Sequence, residues 1–340
     1  MQTATLSMAV RDTGSRSPVE RLLQAASIMS GIDAEHAESI ACAMLGVSDT
    51  QHLQTPGKSE LNWNGSPLQL LCSLRKNRTV TRLLSDPGCH LADSMARYQA
   101  GKTALFTSLA LANAHPLYSV ARQTLLHMVP TDRAALNSYA AGSLWLAVVL
   151  GTPGAALYVA PDPGAARWEK AREWLLGIAR KPDDALTLIS TIQNHCFLLG
   201  VGIEGASIES LRFKIYWRMT TALPLSAFGV RLLLDPSMIE FLTQALGNQA
   251  VAPNMLNFSA NFDLMQGTLR DVKVDISWHN RTRGEALELL DAQAEILGMA
   301  SPATCNTLDL IEQFGLEIGC IGLGLDTAGE YRINTYVFQQ

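Results

Sequence analysis

Charge is scarce in this chain: 17% of its 340 residues are Asp, Glu, Lys or Arg, and the formal net charge is -5. Such a balance gives no electrostatic footprint for nucleic acid or for an anionic membrane surface. Long apolar runs are also missing, and none reaches the roughly 20 residues that span a bilayer. Residues 1–16 are polar and rich in Ser and Thr. They lack the apolar centre of a signal peptide, and a disordered tail is expected there. The six cysteines, Cys42, Cys72, Cys89, Cys196, Cys305 and Cys320, contain no CxxC pair. They read as reduced core thiols of a cytoplasmic protein. The histidines, His195 and His279 among them, show no metal-ligand spacing and read as structural. Gly322-x-Gly324 has no βαβ context, so a strand and hairpin turn explain it better than a dinucleotide loop.

What the chain does have is apolar material, 48% of its residues, enough for a sizeable core. Helical periodicity runs through Pro18–Leu45, with a break expected near Gly31-Ile32-Asp33. It recurs near Thr103–His127, Ala165–Arg180, Ser237–Leu246, Arg283–Leu297 and Thr304–Phe314. Asp235-Pro236-Ser237 and Ser301-Pro302 mark helix starts, and Asp183-Asp184 reads as a solvated helix start. Trp168 and Trp174 read as helix packing.

Between the helices lie five hairpin patterns: Pro67–Asp86 (turn near Arg75-Lys76-Asn77), Ser143–Pro161 (Gly151 to Gly154), Cys196–Arg218 (near Gly205), Leu256–Trp278 (Gln266-Gly267) and Glu317–Phe338 (Ala328-Gly329). Five hairpins make ten antiparallel strands, and closing them removes every edge. The predicted fold is α+β: a ten-stranded antiparallel barrel of five helix-flanked units, ringed by helices, with a solvent-filled lumen. No linker or low-complexity segment appears, so residues 17–340 are expected to form a single domain.

One alternation returns at near-constant spacing. Arg212-x-Lys214-x-Tyr216, Asp271-x-Lys273-x-Asp275 and Arg332-x-Asn334-x-Tyr336 lie about sixty residues apart, and Gly154-x-Ala156-x-Tyr158 falls in the same phase. Period two is a strand period, so each set shares one face. Cations and tyrosines facing a lumen inside a mildly acidic protein are what a buried anion site looks like.

These motifs in this order resemble the ABBA-type aromatic prenyltransferases, and most of all the dimethylallyltryptophan synthase branch. The resemblance covers roughly residues 17–340. Its most specific piece is Arg212-x-Lys214-x-Tyr216 with the cation-bearing strands that follow. A second is GSPLQLLCSLRKNRTVTRLLSDPG at 65–88, similar to the family's first hairpin. The resemblance implies a ten-stranded barrel and electrophilic transfer of a dimethylallyl group from its diphosphate to an indole, tryptophan or a tryptophan derivative, in secondary metabolism. By that resemblance Arg82, Arg212, Lys214, Lys273 and Arg332 would bind the diphosphate. Gln69, Arg212 and Lys214 would count as catalytic, and Tyr158, Tyr216 and Tyr336 would shield the carbocation. Gln69, Trp145 and Asp275 would border the acceptor. No DDxxD-type aspartate cluster is present, which resembles the metal-independent members, in which Arg and Lys replace magnesium. No cofactor is implied, and the expected partners are small molecules.

Three positions depart from the family. Gln69 stands where the family has its indole-binding acid; it can accept a hydrogen bond but is a poor base. Ala156 stands where the family has a lysine. Asp275 stands where it has a tyrosine, and would either attract the carbocation or pair with Lys273. The departures keep open a phenolic or other arene acceptor, a longer prenyl donor, and a non-catalytic barrel that binds an isoprenoid.

Overall fold

The structure, a computed structural model, describes residues 17–49, 59–76, 78–139, 142–163, 166–224, 234–247, 250–279 and 281–339. The expected tail at 1–16, Asn77 of the first turn and Ala165 lie outside the described residues.

Helices α1 (Pro18–Ser30) and α2 (Ala34–Leu45) open the chain. The break between them has local causes. Gly31 ends α1 in the left-handed conformation, and the Asp33 side chain accepts from the His36 amide to start α2. Hairpin β1 (Leu68–Arg75) and β2 (Arg78–Ser85) follows, then α3 (Ser94–Leu111), α4 (Leu117–Met128) and the short α5 (Arg133–Leu136). The single helix expected near Thr103–His127 is therefore two. Pro116 cannot donate into a continuing helix, and Asn113 adopts a positive φ of 50° between them.

Strands β3 (Leu144–Val149) and β4 (Ala155–Val159) make the second hairpin. Next come α6 (Arg167–Ile178) and α7 (Asp183–Ile192), which does begin at Asp183-Asp184. The third hairpin is β5 (Cys196–Gly205) and β6 (Arg212–Met219). A two-stranded ribbon, β7 (Leu223–Pro224) with β8 (Ala250–Val251), flanks α8 (Pro236–Leu246). The fourth hairpin is β9 (Leu256–Asp263) and β10 (Leu269–Ser277), and α9 (Arg283–Ile296) and α10 (Pro302–Gln313) precede the fifth, β11 (Glu317–Asp326) and β12 (Tyr331–Phe338).

The ten long strands close in the order β1-β12-β11-β10-β9-β6-β5-β4-β3-β2, every pair antiparallel. Closure follows from the alternation. On β6, Phe213, Ile215, Trp217 and Met219 are buried outward under the helices, while Arg212, Lys214, Tyr216 and Arg218 line the lumen. Trp174 of α6 meets Phe213 edge-on at 6.0 Å, Phe213 stacks on Phe262 at 5.1 Å, and the Trp174 indole N–H donates to Thr124. Fully burying each of these large side chains contributes about 1.5–3 kcal/mol. Trp168 donates to the Cys196 carbonyl, so both tryptophans are packing residues. All six cysteines are free, and burial pushes the Cys72 thiol up to about 12. Among the described residues no helix is long and apolar enough to cross a membrane.

Candidate active site in the barrel lumen

The inner face encloses a cavity of about 980 Å³. All eleven expected site residues, Gln69, Arg82, Trp145, Tyr158, Arg212, Lys214, Tyr216, Lys273, Asp275, Arg332 and Tyr336, line it. The strand register explains why. Arg212, Lys214 and Tyr216 take successive inward positions on β6, as do Lys273 and Asp275 on β10 and Arg332, Asn334 and Tyr336 on β12.

The cations do not stand alone. Glu204, at the inward end of β5, accepts from Arg82 at 2.9 Å and lies 2.8 Å from the Lys214 ammonium, both through Oε2. Its Oε1 is 3.9 Å from Arg212. Burial disfavours this carboxylate, but Lys214 and Arg82 outweigh burial and hold its pKa well below the usual range. Asp271 accepts from Arg332 at 2.6 Å and from the Asn261 amide at 3.0 Å. Lys273 donates to the Tyr336 hydroxyl at 2.6 Å and pairs with Asp275. Burial opposes the Lys273 charge, but Asp275 and Tyr336 hold its pKa above the usual range.

Aromatic rings sit directly beside the cations. Tyr158 and Tyr216 meet edge-to-face at 5.7 Å, the Lys214 ammonium is 5.9 Å from the Tyr158 ring, and the Lys273 ammonium is 5.1 Å from the Tyr336 ring. Burial, then Tyr158 and Tyr336, push the Tyr216 hydroxyl well above its ordinary value, so it stays a neutral ring at physiological pH.

Part of the lining on β1 to β4 is apolar. Leu71, Leu84, Ala147 and Ala156 form their own buried cluster, with Tyr158 and Tyr336 packed against it. Gln69 is held by its neighbours. Its amide N–H donates to Asn62 Oδ1 at 2.9 Å, and the Asn62 amide is fixed by the Ser66 and Leu68 carbonyls. That network uses one of the two Gln69 N–H donors and leaves its carbonyl oxygen as an acceptor.

Sequence reasoning missed Glu204 and left Asp271 without a role. The signal for Glu204 was the inward phase Gly200, Gly202, Glu204 on β5, a lone acid in an otherwise small-residue face. It also missed Arg75 and Arg78, paired across the end of the first hairpin and lining the same cavity. Burial, then the Arg332 and Arg78 charges, lower the Arg75 pKa, the sign of cations crowded at one mouth. Among the described residues no group of three or more His, Cys, Asp and Glu side chains is placed to hold a metal ion.

No protein-family model and no curated protein matches the sequence. Solved structures do match. The 5-dimethylallyltryptophan synthase from Streptomyces coelicolor superposes with a TM-score of 0.76 at 19% identity, over 94% of this chain and 95% of that one. The chain has a prenyltransferase-type barrel fold. The prenyltransferase PriB, in ternary complex with L-tryptophan and dimethylallyl thiolodiphosphate, gives a TM-score of 0.76 at 18% identity over 94% of each chain. AnaPT from Neosartorya fischeri gives 0.71 at 14% identity, over 93% of this chain and 91% of that one. At such identities the ten-stranded barrel is what is shared, and it is the barrel expected from the strand alternation.

Proposed function

We propose that this chain is an aromatic prenyltransferase. It transfers a dimethylallyl group from dimethylallyl diphosphate to an indole acceptor, tryptophan or a tryptophan derivative, in secondary metabolism. The observation that carries the reading is the juxtaposition inside one closed lumen of Arg82, Arg212, Lys214, Lys273 and Arg332 with the rings of Tyr158, Tyr216 and Tyr336. Structures of the same fold in complex with tryptophan and dimethylallyl thiolodiphosphate support it.

In the proposed mechanism the C–O bond to the diphosphate breaks first. Fixed cations, already oriented and screened from water, stabilise the charge that grows on the leaving group. The guanidinium groups hold phosphate oxygens two at a time and the lysines act as point charges. The allylic cation lies against neutral tyrosine faces, which attract it and exclude water. The arene enters beside the apolar cluster, with Gln69 accepting its N–H and Trp145 walling the pocket. Ring carbon attacks cation, and a proton leaves. Because side chains provide the positive charge, magnesium is not required in this scheme. The six unpaired thiols fit a cytoplasmic setting.

The test is diphosphate release from dimethylallyl diphosphate with a panel of indoles and phenols, with and without a metal chelator. Release with an indole in the presence of chelator is the expected result. Release with phenols alone assigns the arene alternative that Gln69 motivates. No release with any acceptor or donor length returns the barrel to an isoprenoid-binding role.

A further inference from the structure

Prenyl transfer to an arene creates an arenium ion whose ring proton must go somewhere. Where substrate and tyrosine faces keep water from the ring, a positioned acceptor is needed, though not a strong base, because an arenium ion is a very strong acid. Gln69 does not serve, since an amide carbonyl is a poor base and its place in the network is to accept an N–H. Of the buried carboxylates among the cations, Glu204 is committed to Arg82 and Lys214. Asp271 has one oxygen on Arg332 and the other on Asn261.

Asp275 is different. It is 6% exposed and lines the lumen, and its Oδ2 pairs with Lys273. Its Oδ1 is buried with no hydrogen-bond partner among the described residues. A buried carboxylate oxygen left without a partner is costly, and such groups persist where function uses them. The backbone opposite is built for it. Asp275 faces Gly322 across the β10–β11 pair, and a side-chain carbon at 322 would collide with Oδ1. Along the strand Asp275 lies between the Lys273 step, on the leaving-group side, and the Ser277–Cys320 step. The neighbouring Gly319 backbone comes close to the Gln69 amide. Asp275 is thus placed along the strand between the leaving group's cations and the end of the lumen where the acceptor would lie.

Resting on the prenyl-transfer reading above, we propose that Asp275 is the catalytic base that takes the ring proton after alkylation. The ring C–H bond breaks, its electron pair restores the aromatic sextet, and the proton passes to Asp275 Oδ1. The resulting carboxylic acid returns it to water through the lumen mouth after product leaves. Lys273 holds the carboxylate in place and Gly322 makes the room.

The experiment compares wild type, Asp275→Asn and Asp275→Glu, using acceptor protiated or deuterated on the ring, with binding of inorganic diphosphate measured alongside. Asp275→Asn is expected to slow transfer by about 10²–10⁴-fold, as for loss of a general base. It is also expected to show a primary isotope effect that wild type lacks, because proton removal becomes limiting. Asp275→Glu should recover part of the rate. Diphosphate should bind Asp275→Asn at least as tightly, since Lys273 loses its counter-charge. Wild-type turnover in Asp275→Asn without an isotope effect overturns the proposal. So does joint loss of turnover and diphosphate binding, which would reduce Asp275 to a prop for Lys273. If wild type itself releases no diphosphate with any acceptor, the prenyl-transfer reading falls and Asp275 has no proton to take.

Discussion

Along β1 to β4 the lumen is faced by Leu71, Leu84, Ala147 and Ala156, which pack against one another, and the charges on these strands are Arg75 and Arg78 at the mouth and Arg82 on β2. Across the cavity β5, β6, β10 and β12 carry Glu204, Arg212, Lys214, Lys273, Asp275 and Arg332 at equivalent inward positions. Both walls obey the same period of two; they differ only in what stands at the inward phase. The difference teaches how one barrel separates two tasks. The charged wall can take a leaving anion, and the apolar wall can take a flat apolar ring without desolvating a charge. Arg82 and Tyr158 reach from the first wall to the second, Arg82 to Glu204 from β2 and Tyr158 to Tyr216 from β4.

The largest effect expected from disturbing this contrast comes from Glu204→Gln. It strips the counter-charge from Arg82 and Lys214, and leaving buried charges uncompensated costs about 3–5 kcal/mol, read by denaturant unfolding at neutral pH. The pH dependence has a definite sign. The folded pKa of Glu204 lies below its ordinary value of 4.5, so its contribution is complete above that value and is lost as pH falls below it. Glu204→Gln should flatten that acid limb of the stability curve.

Next in size is Lys214→Ala, which removes a cation from the charged wall. Loss of one transition-state contact costs about 10²–10³ in turnover, roughly 2.7–4 kcal/mol, with the fold retained by circular dichroism. Unchanged turnover would dissolve the contrast between the walls. Ala156→Lys sharpens it from the other side. Position 156 faces Glu204 across the β4–β5 pair, so a lysine there adds a cation at the seam. It should tighten inorganic diphosphate binding by about tenfold, the equivalent of roughly 1.4 kcal/mol. An effect of similar size is expected for Gln69→Leu on the opposite side. It leaves Asn62 Oδ1 without its donor, costing about 1–3 kcal/mol of stability, and should raise the acceptor KM while leaving donor binding intact.

Much of the barrel was readable from the chain because alternation is a local signal. Phe213, Ile215 and Trp217 against Arg212, Lys214 and Tyr216 assign the two faces of β6 without any tertiary knowledge. The same holds for the five turns and for the helix starts at Asp235 and Ser301. The division of α3 from α4 was not read, because helical periodicity continues on both sides of Asn113 and Pro116. Nor, apart from Lys273 with Asp275, were the ion pairs. Glu204 and Arg82 are 122 positions apart, and Asp271 and Arg332 are 61 apart. Such partners are set by strand order and register around the closed barrel, which no local window contains. Gly322 is of the same kind: its lack of a side chain matters only because Asp275 fills the space opposite.

The most direct test is calorimetric titration of the wild-type protein with dimethylallyl thiolodiphosphate in the presence of a metal chelator, repeated with Lys214→Ala. The account predicts one site per chain in wild type, with binding that survives the chelator and weakens sharply in the variant. Binding that requires added magnesium, or that is indifferent to Lys214, would contradict the assignment of the charged wall to the diphosphate.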